Sequence, residues 1–186
     1  MSDPAISAAA KIDGWMYEKE LEWLYYAAST RRTIVEIGSW KGRSTKALAD
    51  ATWGKVYAID HWKGSDDELM TYQREAALIG PDKMFAQFSK NLASEISSKK
   101  VIPIRADSVE AVKILTSILD APVDMVFIDG GHKYETSKHD IVSYRSLIRS
   151  GGLLCGHDRE HPGVAKALSE LVPLTRHCCG IWYVTI

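Results

Sequence analysis

The sequence predicts an α/β fold, a doubly wound and mostly parallel sheet with helices on both faces, and two observations predict it. Five short runs rich in β-branched and other apolar residues, at 33–37, 55–59, 101–105, 123–128 and 152–156, punctuate the chain. Near-continuous apolar strands are the pattern of a sheet covered on both faces. Between them lie stretches whose apolar residues recur at helical intervals, and strands alternating with helices are joined by crossovers that leave neighbouring strands parallel.

A first helix at 15–28 carries Trp15, Leu21, Trp23, Leu24 and Tyr25. It belongs to an N-terminal helical segment, 1–32, that packs on the sheet and has its start placed to close over a ligand. After the first strand comes a helix at 44–51, and after the second a helix at 84–96, where Phe88, Leu92 and Ile96 repeat at i, i+4, i+8 and share one face. Helices at 109–119, 137–148 and 163–171 follow the third, fourth and fifth strands. The runs 174–179 and 181–186 read as a last pair of strands with Gly180 alone between them. The least regular stretch, 63–83, contains Gly64, Asp66, Asp67, Gly80, Pro81 and Asp82 and is expected to be a lid or substrate loop.

At 186 residues the chain has the length of one domain, 1–186. Its 46% hydrophobic and 25% charged residues are those of a globular protein rather than a disordered one. With 23 basic and 24 acidic side chains the formal charge is -1, so no global field favours nucleic acid or an anionic membrane. No apolar run approaches the ~20 residues that span a bilayer, residues 1–10 lack the pattern of a secretory leader, and a cytoplasmic location is expected. Cys155, Cys178 and Cys179 form no metal-knuckle spacing and read as reduced packing residues.

The segment Val35-Glu36-Ile37-Gly38-Ser39-Trp40-Lys41-Gly42-Arg43-Ser44-Thr45 puts a glycine turn between a buried strand and a helix, where ligands of open α/β sheets bind. Its GxxxG spacing lacks the close glycines that let a backbone approach a pyrophosphate. The next strand ends at Asp60-His61-Trp62, about twenty residues on. A carboxylate there accepts both ribose hydroxyls of an adenosine ligand, NAD or S-adenosyl-L-methionine alike. Glu36 and Asp60 stand out as acids on otherwise apolar strands, which are seldom buried without a partner.

Two more strand ends separate those ligands: Arg105-Ala106-Asp107-Ser108, and Val126-Phe127-Ile128-Asp129-Gly130-Gly131-His132-Lys133-Tyr134-Glu135. With these and the segment Gly151-Gly152-Leu153-Leu154-Cys155-Gly156-His157-Asp158, the chain resembles class I methyltransferases from about Gly14 to its C-terminus. It is most similar to the small-molecule O-methyltransferases of macrolide sugars and catechols. The resemblance implies a Rossmann-like, seven-stranded sheet with the last strand antiparallel, and S-adenosyl-L-methionine as methyl donor. It implies that Glu36, Gly38, Ser39, Trp40, Gly42 and Ser44 form the site around the methionine moiety and that Asp60 holds the ribose. His61 or Trp62 would flank the adenine, with Ala106, Asp107 and Ser108 at its amino group. Ser44, Asp107 and Ser108 also suit helix caps, and Trp62 suits a core.

In the resembling enzymes the position of Asp129 binds a divalent metal and the residue three later is the general base, here His132. An imidazole suits that work because its pKa lies near neutrality. Asp129 and Asp158 make an oxygen set for Mg2+ or another divalent metal, with His157 as third ligand, and the imidazole moves the preference toward transition metals. The stretch 63–83, Tyr134, Arg159, Glu160 and His161 are expected to border the acceptor, a small polar molecule such as a sugar or polyhydroxylated compound. A non-catalytic S-adenosylmethionine-binding module and an NAD-linked oxidoreductase are the alternative functions. Aromatics on the first helix suit packing within the chain or against a second copy in a homo-oligomer.

Overall fold

Alternation along β1 (Thr33–Ile37) sends Ile34 into one apolar layer and Val35 and Ile37 into the other, as the two-residue period of a strand requires. The computed structural model describes residues 4–64 and 78–186. Beside β1 lie β2 (Lys55–Asp60), β3 (Val101–Arg105), β4 (Val123–Ile128), β5 (Ile148–Gly156), β6 (Arg176–Cys178) and β7 (Ile181–Thr185). They form one sheet in the order β3-β2-β1-β4-β5-β7-β6. Strands β1 to β5 pair in parallel, and β7 runs antiparallel to both its neighbours. The predicted doubly wound sheet with an antiparallel last strand is the one that forms.

One face is covered by α1 (Pro4–Ala10), α2 (Glu18–Ala28), α3 (Arg43–Ala51) and α4 (Pro81–Asn91), through Ile6, Leu21, Leu24, Leu48, Met84 and Phe88. The short helix α5 (Ala93–Ser97) follows α4. The other face carries α6 (Ser108–Ile118), α7 (Tyr134–Arg145) and α8 (Pro162–Leu171), through Ala111, Leu115, Ile141, Tyr144, Val164 and Leu168. Full burial of each large apolar side chain contributes about 1.5–3 kcal/mol, so these periodic residues outweigh differences in helix propensity of well under 1 kcal/mol.

Several boundaries differ from the sequence reading. The predicted helix at 15–28 starts only at Glu18, after a loop, and a separate helix precedes it. The predicted helix at 84–96 breaks at Leu92, whose backbone (φ -112, ψ 24) leaves the helical region as its side chain turns in against Gly42. Helix α7 begins at Tyr134, not residue 137, and ends at Arg145. Strand β5 begins at Ile148, not residue 152, because an irregularity absorbs the extra residues while Val123↔Ile148 and Met125↔Leu153 both stay paired.

Cys155 is buried and its thiol donates to the Val126 carbonyl at 3.3 Å, as a packing residue does. Cys179 is not one: it sits exposed in the tight β6–β7 turn, at φ 57, with its sulfur 3.3 Å from that of Cys178. Among the described residues no helix is long and apolar enough to cross a membrane.

Candidate active site

Strand order reverses between β1 and β4, and at such a switch point ligands bind beyond the carboxyl ends of the strands. A cavity of about 900 Å3 opens there, large enough for a nucleoside-sized ligand. Its wall takes Gly38, Ser39, Trp40 and Ser44 from the end of β1 and the start of α3, and Asp60 and His61 from β2. It takes Ala106, Asp107 and Ser108 from β3, Asp129 and His132 from β4, and His157 and Asp158 from β5. Glu36, Gly42 and Trp62, also predicted, are not on that wall.

Gly38 explains how β1 and β4 close on each other. Its φ is 87, and a Cβ there would lie 2.0 Å from the Asp129 carbonyl oxygen, so no side chain fits. Beneath this turn Glu36 is fully buried and accepts from the hydroxyls of Ser39, at 2.8 Å, and Thr45. Burial raises its pKa against the pull of the Ser44, Thr45 and Ser39 hydroxyls. Glu36 thus shapes the loop from below. Gly42, in the left-handed region, is the N-cap of α3, which makes Ser44 a residue of the helix rather than its cap.

Asp60 accepts from the backbone amides of Trp40 at 2.8 Å and Trp62 at 2.6 Å. Burial raises its pKa, and those amides oppose the shift. Each oxygen still has a second lone pair for a ligand donor. Trp62 does not flank the cavity: it is fully buried, with ring centroids 4.7 Å from Phe85 and 5.0 Å from Phe88. Its indole donates to the Trp40 carbonyl at 2.7 Å, so it pins the loop from the core side. His61 is the member of that pair on the wall. Asp107 serves as the N-cap of α6, accepting from the Glu110 amide at 2.9 Å, and lines the cavity as well.

The far end of the cavity is a cluster of imidazoles and carboxylates. His132 Nε2 lies 2.9 Å from Asp158 Oδ2, and His157 Nδ1 lies 3.1 Å from Asp158 Oδ1 and 3.8 Å from Asp129 Oδ1. His161 stacks on His132 with centroids 4.3 Å apart. Burial pushes the Asp129 carboxyl up to about 7, against the pull of His157 and helped by Asp158. For His157 burial opposes the charge, but hydrogen bonds to Asp158 and Glu20 lift its pKa to about 11. Asp158 resists burial through bonds to both imidazoles, which hold it well below the usual carboxylate range.

The ligand atoms of Asp129, His157 and Asp158 lie within 4.8 Å of one another. Two carboxylates and an imidazole are a donor set that fits a divalent ion, with a softer preference than oxygen ligands alone.

The methyltransferase domain family matches residues 35–159, the stretch from β1 through the end of β5. The chain belongs to that family.

Protein y4gI of Sinorhizobium fredii is 26% identical to it over 163 residues, which are 82% of this chain and 16% of that protein. The chain therefore spans a small part of that relative's length. Among solved structures, CalS11, a calicheamicin methyltransferase, superposes with a TM-score of 0.69 at 17% identity, over 89% of this chain and 77% of CalS11. The O-methyltransferase TomG from Streptomyces achromogenes, in complex with S-adenosylmethionine, gives 0.68 at 19%, over 100% and 91%. An O-methyltransferase from Bacillus cereus, in complex with S-adenosylhomocysteine, gives 0.68 at 16%, over 100% and 92%. The chain thus carries a methyltransferase domain by family and shares the fold of these methyltransferase structures.

The cavity wall also takes residues from the start of the predicted first helix, read from the sequence as placed to close over a ligand, and one residue that carried no sequence signal. Gly14, Trp15 and Met16 reach the cavity from the loop before α2. That loop is stitched down by Arg43, which donates to the carbonyls of Ala10, Ile12 and Met16, and by Lys41 paired to Asp13 at 2.6 Å. Asp140 of α7 also lines the cavity while 1% exposed. Its position in a polar helix stretch gave no hint of burial.

Of the residues expected near the acceptor, Lys63, Gly64 and His161 are on the wall, residues 65–77 of the predicted lid lie outside the described residues, and its end, 81–83, is instead the first turn of α4 and off the wall. Tyr134 instead donates to Glu170 at 2.6 Å, and Arg159 and Glu160 pair with each other at 3.3 Å. None of these three is on the wall: Arg159 and Glu160 sit in the turn before α8, and Tyr134 opens α7 with its hydroxyl directed to Glu170 of α8.

Proposed function

We propose that this methyltransferase moves the sulfonium methyl of S-adenosylmethionine to a hydroxyl oxygen of a small polar acceptor, with His132 as general base. The observation that carries this reading is the His132–Asp158 pair, 2.9 Å apart on the cavity wall beside Asp129. Gly38, Ser39, Trp40 and Ser44 would surround the methionine moiety over the buried Glu36 and the Gly42 cap. Asp60 would hold the ribose hydroxyls, and His61, Ala106, Asp107 and Ser108 would receive the adenine.

An acceptor hydroxyl attacks the methyl carbon as the carbon–sulfur bond breaks, which leaves S-adenosylhomocysteine. His132 takes the hydroxyl proton and later passes it to solvent, while Asp158 stabilises the imidazolium formed. A positioned base of this kind contributes about 10²–10⁴-fold, and alignment of oxygen, methyl and sulfur supplies much of the rest. Asp129, His157 and Asp158 would hold a divalent ion, which supplies Lewis-acid polarisation of an oxygen. Such help matters most for an aliphatic hydroxyl, which is barely acidic at neutral pH.

CalS11 is described as a TDP-rhamnose 3'-O-methyltransferase. With Lys63, Lys133 and His161 on this wall, a sugar or other polyhydroxylated acceptor suits the cavity here too. We place the reaction in the cytoplasm, where the free thiols of Cys155, Cys178 and Cys179 stay reduced.

The test is S-adenosylhomocysteine release from S-adenosylmethionine across a panel of sugars and polyhydroxylated aromatics. Release with at least one hydroxyl compound is the expected result. Tight cofactor binding with no release from any member would sink the catalytic reading in favour of a non-catalytic binding module.

A further inference from the structure

Glu20 lies outside the family-matched stretch, in the first turn of α2, yet its carboxylate is 5% exposed and spans two elements. Oε2 accepts from the Tyr17 backbone amide at 2.6 Å, and Oε1 lies 3.0 Å from His157 Nε2. Capping a helix needs one oxygen and works at the surface. Burying the other oxygen of a carboxylate requires a hydrogen-bonded partner, and His157 is that partner. The β6–β7 turn closes over the contact: a Cβ on Gly180 would lie 2.5 Å from Glu20 Oε1 and 3.3 Å from His157 Nε2. On the other side Trp182 donates to the His157 carbonyl at 3.0 Å.

We propose that Glu20 is a positioning residue of the methyl-transfer centre, accepting the Nε2 proton of His157 so that the ring presents Nδ1 to Asp158 and Asp129. The proposal rests on the reading of Asp129, His157 and Asp158 as a reaction-centre cluster. An ionised carboxylate accepts only, so opposite it Nε2 carries the proton. With Nε2 taken, the ring cannot flip, and Nδ1 is the nitrogen that stays 3.1 Å from Asp158 Oδ1. Asp158 is thereby held between two imidazoles with Oδ2 left for His132. Ligating histidines in metal sites are oriented by a carboxylate on their second nitrogen in this same way. Here the orienting group comes from α2, which ties that helix to the chemistry.

The test compares wild type, Glu20→Ala and Glu20→Gln as full chains loaded with S-adenosylhomocysteine. Glu20→Gln keeps an oxygen for the Tyr17 amide and so preserves the cap. The readouts are 15N-histidine NMR of the His157 ring and Mn2+ binding by electron paramagnetic resonance. Wild type is expected to show a protected His157 Nε2 proton, and both variants to lose it. Mn2+ affinity should fall about 10- to 100-fold, with S-adenosylhomocysteine affinity held within about twofold.

An unchanged His157 resonance in both variants overturns the proposal, as does unchanged Mn2+ affinity in both. A parallel loss of S-adenosylhomocysteine affinity in Glu20→Gln also overturns it, since Glu20 would then hold the cofactor pocket rather than one imidazole. Failure of wild type to take Mn2+ removes the metal reading alone, and the His157 resonance then decides for or against Glu20.

Discussion

Asp158 bridges two imidazoles, with Oδ2 2.9 Å from His132 Nε2 and Oδ1 3.1 Å from His157 Nδ1. It does so from the left-handed region, at φ 57, just past the end of β5. Aspartate tolerates that conformation better than most residues, and the turn swings its carboxylate between the ends of β4 and β5. A substitution on either side of the bridge therefore has a distinct expected outcome.

Replacing His132 by alanine removes the proposed base without touching the adenosine part of the cavity. The turnover of S-adenosylmethionine to S-adenosylhomocysteine should fall by about 10²–10⁴-fold. Cofactor affinity, measured by calorimetry, should be unchanged. Full turnover in His132→Ala across the pH range would remove it from the mechanism.

Asp60→Ala should act on binding instead. Loss of hydrogen bonds from a charged acceptor costs about 1.5–3 kcal/mol, or roughly ten- to a hundredfold in the dissociation constant for S-adenosylmethionine. Because Asp60 also holds the Trp40 and Trp62 amides, the melting temperature should drop in the same variant. Calorimetry and thermal denaturation read the two effects separately.

Chelation tests the donor set of Asp129, His157 and Asp158. Exhaustive treatment with a chelator should abolish turnover, and Mn2+ or Co2+ should restore it better than Mg2+ does, because an imidazole ligand favours transition metals. Turnover that survives chelation intact would show that the cluster works without an ion.

Asp140 predicts a pH dependence of stability. Burial pushes its carboxyl up to about 6, against the Ser108 hydroxyl and His139, from an ordinary value of 3.8. Between those values the folded chain binds more protons than the unfolded one, so this group makes stability fall as pH rises through the window. About two pKa units at ~1.4 kcal/mol each set a ceiling of roughly 3 kcal/mol. Asp140→Asn should remove that fall and be more stable than wild type above pH 6, but not near pH 4, in urea unfolding followed at both pH values.

Local pattern was enough for the sheet and for most of the cavity wall. The apolar runs of β1 to β5 are read directly from residue type, since a strand covered on both faces has no polar side. The ends of those strands place Gly38, Asp60, Asp107, Asp129, His132, His157 and Asp158 at one edge once the strands are parallel. That edge needs no knowledge of side-chain contacts. The break at Leu92 and the early start of β5 were hidden because both depend on how a side chain or an irregularity meets a neighbouring element.

What the sequence alone determined, then, is the α/β class, the edge of the sheet that carries the glycine turn and the identity of the acids and histidines at that edge. Tertiary structure decided which of them face the cavity. Trp62 and Glu36 lie beside wall residues in the chain yet point into the core, because successive side chains at a strand end diverge and each follows its own packing. Glu20 was invisible for the opposite reason. It meets His157 across 137 positions of sequence, and only the docking of α2 beside the ends of β5 and β7 brings a solvent-type helix acid into contact with the centre.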